Sequence, residues 1–310
     1  MAAKHNIGIM IPSAHFEETP APKELLDHFH AAEELGFHSL WAMERFSHQD
    51  ASVLHPFTTL AWAAGATSRM ELGTAVALAT LRHPVVLAKT AATLDYISEG
   101  RLTFGISLGG RPEDFTALGV PIQQRPRRLE ETITILRSLW DDQEVSFQGR
   151  HFTVEGRFSG PRPASPGGIP ILLGGNAEPL YKRVATMADG WLPGAISTWM
   201  PSQFQEGWEK IQGYAREAGR DPSGLAGDML VYFSLDDTAE KARKPLDEFI
   251  PRYYGGRFDT EKCIYGSPSE CAEQLQGFFD AGVRTMILHV LQPSIRLLER
   301  IQQEVVPLLR

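Results

Sequence analysis

Between Leu72 and Gly110 the sequence places two apolar runs, LGTAVALA and LTFGISLGG, on either side of LRHPVVLAKTAATLDYISEGR. Val, Leu, Ile, Phe and Ala fill both runs with almost no polar alternation, the pattern of strands covered on both faces in a parallel sheet. The segment between them reads as a helix. Pro84 suits the first helical position, where its missing N–H costs nothing, and Val85, Ala88, Ala92 and Ile97 recur at helical spacing before Gly100 stops it. Strand, helix and parallel strand make one βαβ unit, whose second strand ends in Gly109-Gly110, where backbone can approach a ligand closely.

The rest of the chain repeats this alternation. Strands are expected over Asn6–Ile11, Ser39–Met43, Ile169–Leu173, Gly190–Leu192, Met229–Ser234 and Arg284–Leu291. Helices are expected over Lys23–Leu35, Pro56–Thr67, Arg128–Trp140, from an Asn176 cap to Met187, and over Gln203–Ala218, Thr238–Phe249, Pro268–Ala281 and Ile295–Leu309. A long insertion comes after Gly110, a hairpin turning at Gly149 covers Glu144–Val154, and an aromatic loop RYYGGRF lies at 252–258. Eight strands, most followed by a helix, predict an α/β fold: a (β/α)8 TIM barrel with insertions, as one domain over 1–310. Chemistry in such a barrel sits at the strand C-terminal ends. The candidate region is therefore Pro12–His15, Glu44–His48, Ala75–His83, Ser107–Arg111, Gly174–Asn176, Pro193–Ala195, Leu235 and the residues after Leu291.

Charge narrows the partners. With a net charge of −8 and no stripe of Lys and Arg, neither nucleic acid nor an anionic membrane is an expected partner. No run has the length of a membrane span or the form of a signal peptide, so a cytoplasmic protein acting on a small-molecule substrate is expected. Cys263 and Cys271 lack C-x-x-C spacing and read as reduced thiols.

Several residues at the strand ends have both a chemical and a plainer reading. Gly174-Gly175-Asn176 offers N–H groups and a helix N-terminus to an anion, or is a tight turn with Asn176 as cap. Glu44-Arg45 reaches the mouth either as an ion pair or as contacts to a ring or substrate. His48 and His55 are possible acid–base groups, with His55 equally a helix-start residue. Of Arg82-His83, one is expected to cap the helix at Pro84. His28-Phe29-His30 has the H-x-H form of barrel metallohydrolases but falls inside a helix, where residues two apart diverge, so no metal site is expected. Trp199, Met200, Tyr253, Tyr254 and Phe258 are expected in or beside long loops, as cover for the barrel or as a closure over a flat ligand. H-E-x-x-H, G-x-S-x-G and the P-loop pattern do not occur.

Longer strings add to this. LGTAVALATLRHPVVLAKTAATLDYISEGRLTFGISLGG, then EDFTALGVP, RRLEETITILRSLW and GPRPASPGGIPILLGGNAEPLYKRVATMADGW, stand in order. LWAMERF precedes them and YGSPSECAEQLQGFFDAGVRTMIL comes after. Together they resemble the luciferase-like monooxygenase family of flavin- and deazaflavin-dependent oxidoreductases. The resemblance implies a bacterial luciferase-like barrel holding an isoalloxazine or 5-deazaisoalloxazine ring at its mouth, with a non-prolyl cis peptide at Ala75–Val76 behind the ring. It further implies ring contacts near Ser107, Leu108 and Gly109, a phosphate end near Gly174, Gly175 and Asn176 with Arg128 as basic partner, and a homodimer.

Bacterial luciferase carries Glu-His-His-Phe after strand two, with a catalytic histidine that Glu44-Arg45-Phe46 lacks, so light emission is not implied. Deazaflavin enzymes of the family are similar to Glu-Arg-Phe at this point, whereas its glucose-6-phosphate dehydrogenases have Asp-His. The expected function is hydride transfer between coenzyme F-420 and a small organic substrate. Glu44 is then a polar contact to ring or substrate, and Arg45 and His48 serve substrate polarisation or proton transfer. A reduced-FMN monooxygenase using oxygen is the alternative. A flavin-binding barrel without turnover and a metal-dependent barrel hydrolase or lyase stand behind it.

Overall fold

The computed structural model describes residues 5–16, 18–142, 144–256, 258–291 and 293–310; Glu17 in the first loop and position 257 of the aromatic segment lie outside the described residues. Eight parallel strands pair in a ring: β1 (Asn6–Met10), β2 (Ser39–Ala42), β3 (Glu71–Thr74), β4 (Leu102–Ser107), β5 (Ile171–Leu173), β6 (Gly190–Trp191), β7 (Ala226–Leu235) and β8 (Thr285–Val290). Each pairs with the next, and β8 returns to β1 through Asn6↔Thr285 and Ile7↔Met286. The expected (β/α)8 barrel forms. Between and after the strands lie α1 (Pro22–Glu34), α2 (Pro56–Ala66), α3 (Pro84–Ile97), α4 (Pro112–Ala117), α5 (Arg125–Asp141), α6 (Glu178–Met187), α7 (Pro201–Glu217), α8 (Ala239–Tyr254), α9 (Pro268–Asp280) and α10 (Ile295–Arg300). No described helix is long and apolar enough to cross a membrane.

The barrel interior is plugged by Trp41 from β2, whose indole Nε1 donates to Ser39 Oγ at 2.7 Å. Room for this ring comes from residues without side chains: a Cβ on Gly73 would stand 2.2 Å from Trp41 Cε3, and one on Gly8 2.7 Å from its Nε1. Met10, Leu172, Leu192 and Ile287 join Trp41 in an interior cluster that ends at Met43 and Ala75, just past β2 and β3. The barrel is therefore filled below its mouth and lined by small or flexible groups at it.

The structure corrects the sequence reading at several places. The third strand is not continuous: after β3 the Ala75–Val76 peptide is cis, and Ala77–Leu78 then pairs with β4 at Ile106 and Ser107. The insertion after Gly110 is largely helical, with α4 inside it and α5 beginning at Arg125 rather than Arg128. Tyr253 and Tyr254 are not on a loop, because α8 continues through Pro251 to Gly255 at φ +61°. Packing overrides the proline there: Tyr253 stacks on Phe249 with ring centroids 5.1 Å apart, and Tyr254 shares a 2.6 Å hydroxyl contact with Tyr232. Asn176 does not cap α6, whose N-cap is Ala177 without a side-chain hydrogen bond. A short strand at Ile264–Gly266, parallel to β7, was too brief for its pattern to show. The last helix is shorter than expected, α10 ending at Arg300 before a π turn over Ile301–Val305, whereas His83 caps α3 through Val85 N–H as read, and on α1 His28 is buried while His30 faces solvent.

Candidate active site

Past the C-terminal ends of β2 to β7 lies a cavity of about 470 Å³, the size of a small-molecule site. Two clusters of touching residues line it. In the first, Ala75 and Val76 meet Gly174 after β5 and Leu192 after β6; a Cβ on Gly174 would come within 3.1 Å of Val76 Cγ1 and 3.3 Å of the Leu192 carbonyl. In the second, Arg45 lies over the Tyr253 ring at 4.3 Å, with Tyr254 and Arg111 beside it. Both clusters result from the fold, because each residue sits on the turn immediately after a barrel strand or, for the tyrosines, on the last turn of α8.

Glu44 links the two. Its side chain is 2% exposed and its carboxylate is fully engaged: Oε2 accepts from Leu78 N–H at 2.7 Å and from Arg82 Nη1 at 2.6 Å, while Arg82 Nη2 donates to Oε1. A bidentate guanidinium is what makes a buried carboxylate tolerable. Its partner is therefore Arg82, not the adjacent Arg45, and the pair ties the segment after the cis peptide to the end of β2.

The turn Gly174–Ala177 suits an anion through backbone alone. Gly174 N–H is spent on Ile106 O at 2.8 Å, but among the described residues Gly175, Asn176 and Ala177 donate their N–H groups to no protein acceptor. Glu178 does not fill the turn, since its carboxylate pairs with Lys210 at 3.3 Å and accepts from Tyr214. The Asn176 amide donates to Ser197 O at 3.1 Å. At the end of β4 the polar groups are partly used: Thr80 donates to Leu108 O at 2.8 Å, and Ser107 Oγ accepts from Gly109 N–H at 3.3 Å, leaving the Ser107 hydroxyl free to donate. Arg128 does not line the cavity. It donates from Nε to Thr80 O at 3.0 Å and lies over Phe152, bracing the segment that carries Thr80.

Among the described residues Arg45 donates only to neutral carbonyls, Ser47 O at 2.9 Å and Tyr253 O at 3.0 Å. His48 lines an adjoining cavity of about 480 Å³ rather than the main one. Its Nδ1 accepts from the N–H groups of Asp50 and Ala51, so the ring proton sits on Nε2, facing Tyr253 O at 3.3 Å. Burial, then the Arg45 charge, push its pKa down and keep it neutral. Arg111 and Asp114, neither singled out from sequence, both line the main cavity; Asp114 is 1% exposed and accepts from the Ser47 hydroxyl. The signal for Arg111 was its place between Gly109-Gly110 and the N1 proline of α4. Asp114 gave none, because a first-turn acid on a helix reads as dipole complement.

The model of the luciferase-like monooxygenase family matches residues 5–262. An F420-dependent glucose-6-phosphate dehydrogenase of Kineococcus radiotolerans is 28% identical over 94% of each chain. An uncharacterized protein of Mycobacterium tuberculosis is 30% identical over 73% of this chain and 74% of its own. Among solved structures, an F420-dependent secondary alcohol dehydrogenase in complex with an F420-acetone adduct superimposes with a TM-score of 0.85 over 99% of both chains at 23% identity. The FMN complex of the oxygenating constituent of 3,6-diketocamphane monooxygenase from Pseudomonas putida does so at 0.77, over 99% of both chains at 19% identity. These two likenesses establish the fold. With more than three quarters of its length matched, the chain belongs to the luciferase-like monooxygenase family.

Proposed function

We propose that this protein is an oxidoreductase that transfers hydride between coenzyme F420 and a small organic substrate at the mouth of the barrel. The observation that carries the reading is a single cavity joining an apolar surface, Ala75, Val76 and Leu192, to a turn at Gly175–Ala177 whose amides have no acceptor among the described residues and can take a phosphate. Gly174 is part of that fit, because a side chain there would push on Val76 and close the space between surface and turn. F420, when bound, supplies the hydride-accepting and hydride-donating carbon.

The chain's own residues do the rest. Ala75 and Val76 support the ring, Ser107 with Leu108 and Gly109 offers a hydroxyl and backbone at its edge, and Gly174, Gly175 and Asn176 hold the charged tail. Glu44 keeps the ring support in place through Leu78 and Arg82, and Arg128 acts on it at one remove through Thr80. Arg45 faces the substrate, while neutral His48 orders the Tyr253 end of the site beside it.

The relatives named as F420-dependent support F420 over FMN. Titrating the protein with each cofactor and following fluorescence tests this. Binding of F420 with turnover that needs no oxygen supports hydride transfer; binding of FMN alone, with oxygen consumed, replaces it by monooxygenation, and binding of neither removes both. The same reading takes residues 1–310 as one domain, cytoplasmic, acting on a small molecule and not on nucleic acid. It also takes the protein as a homodimer, for which the groove between α2 and α3, with Val86 61% and Ile97 45% exposed, offers an apolar face. Sedimentation equilibrium tests that.

A further inference from the structure

Arg111 and Arg45 are placed as a pair that, among the described residues, no carboxylate meets at ion-pair distance. Arg111 enters from the turn after β4 and is partly buried; its carbonyl accepts from Phe115 N–H, yet among the described residues its guanidinium makes no hydrogen bond and no ion pair. Arg45 donates to two carbonyl oxygens and to no carboxylate. The acids that share the two cavities with them are committed or stand off: Glu44 is taken by Arg82, Asp114 accepts from Ser47 and acts on Arg111 only at a distance, and among the described residues neither these nor Asp50 and Glu113 come within ion-pair distance of either arginine. Burial first, and then the Arg45 charge, lower the pKa of Arg111, as expected of two cations facing one partly desolvated space. Both arginines line the main cavity and the adjoining one of about 480 Å³, so they stand where the two meet, with Arg252 lining the second.

We propose that Arg45 and Arg111 form an oxyanion subsite that binds the carboxylate or phosphate group of the substrate, which makes the substrate an acidic molecule. Planar guanidinium forks match both groups, and an anion between them removes the like-charge repulsion of the empty site. The proposed place of the cofactor's phosphate is on different elements, at the amides of Gly175–Ala177, which have no acceptor among the described residues. That the anion belongs to the substrate rests on the oxidoreductase reading above; that the subsite binds an oxyanion does not.

The test uses cofactor-free full-length protein at low ionic strength, titrated calorimetrically with inorganic phosphate, succinate and, as the neutral counterpart, succinamide. Phosphate or succinate is expected to bind and succinamide is not. Arg111→Gln and Arg45→Gln each weaken the anion by about tenfold or more, the loss of a charge-assisted pair of hydrogen bonds, and Arg111→Lys by less. F420 affinity, read by fluorescence, should be the same in wild type and variants. Equal binding of acid and amide by the wild type, which needs no variant to fold, overturns the proposal. So does anion binding that survives both Gln substitutions. If the substitutions weaken F420 as much as succinate, the anion is the cofactor's own tail and the substrate assignment is wrong. Should neither F420 nor FMN bind while succinate binds through Arg111, the cofactor reading fails and the oxyanion subsite stands.

Discussion

On one part of the mouth the cavity meets Ala75, Val76, Gly174 and Gly175, groups with no charge and hardly any side chain; on another it meets Arg45, Arg111, Tyr253 and Tyr254. The first set offers shape and backbone amides, the second charge and aromatic faces. Glu44 and Arg45, adjacent in sequence, divide between them: the acid is buried and neutralised in support of the first set, while the base stays without an acid in the second. The first set should therefore be the one whose supports carry stability. Replacing Arg82 by Ala leaves the Glu44 carboxylate buried with only the Leu78 N–H, and removes a guanidinium 5.3 Å from the Phe57 ring centroid. A loss of about 3–5 kcal/mol in urea unfolding is expected. A loss below about 1 kcal/mol, the worth of an exposed pair, would remove the distinction between the two sets.

Acid should find the second set first. His289 on β8 stacks on Tyr232 at 4.6 Å, and Tyr232 in turn contacts Tyr254. Burial, and then the His15 charge, lower the pKa of His289 to about 4, and its Nδ1 has no described partner. The folded pKa lies below the unfolded value of 6.5, so the unfolded chain takes up the proton first. Stability is then complete above 6.5 and falls as pH drops from 6.5 towards 4, by roughly 3 kcal/mol for one such histidine. His28 in α1, also lowered to about 4 by burial, adds a like amount outside the aromatic cluster. Thermal melts between pH 7 and 4 should show His289→Phe flattening the profile and quieting the near-ultraviolet change of the tyrosines, whereas His28→Phe flattens it without touching them. Identical optical changes in both variants would mean that the aromatic cluster is not what acid loosens.

Gly174 and Gly110 sharpen the comparison from the other side. Ala at 174 must fit 3.1 Å from Val76 Cγ1 and 3.3 Å from a fixed carbonyl, while nothing lies within 4 Å of a Cβ at Gly110. Gly174→Ala should cost about 1 kcal/mol of stability and weaken cofactor binding, and Gly110→Ala should do neither. Equal effects at the two positions would show that close approach at Gly174 plays no part.

How much of this was legible beforehand depends on the range of the interaction. The βαβ unit from Leu72 to Gly110 was readable because its strands and helix are set by local apolar spacing and by Pro84 and Gly100. The order of motif strings pointed to the cis peptide at Ala75–Val76, which no propensity would have shown. The Glu44–Arg82 pair spans 38 residues and joins two different strand ends, so no spacing rule could prefer it over the neighbouring Arg45. Likewise the aromatic, glycine-bearing run at 252–258 reads as a loop, and only the stacking of Tyr253 on Phe249, settled by tertiary packing, carries α8 on past Phe249. Arg111 was inside the region named by the barrel rule, but its lack of a partner is a property of the whole site.

Asn176 offers the smallest expected effect and the finest discrimination. As a helix cap its side chain would accept from the first turn of α6, and Asn176→Ala would cost about 1 kcal/mol. In the structure it donates instead to Ser197 O at 3.1 Å from an exposed position, and α6 starts at Glu178, after Ala177 as N-cap, without it. Asn176→Ala should therefore cost about 0.5 kcal/mol or less and leave cofactor affinity nearly unchanged, because the backbone N–H groups of the turn remain. Asn176→Pro would delete one of those N–H groups and should weaken the phosphate-bearing cofactor more than the alanine does. If the alanine variant instead loses cofactor as strongly as the proline variant, the amide side chain is itself a ligand contact. The first set would then recognise through a side chain, as the second does, and the contrast would reduce to one of charge alone.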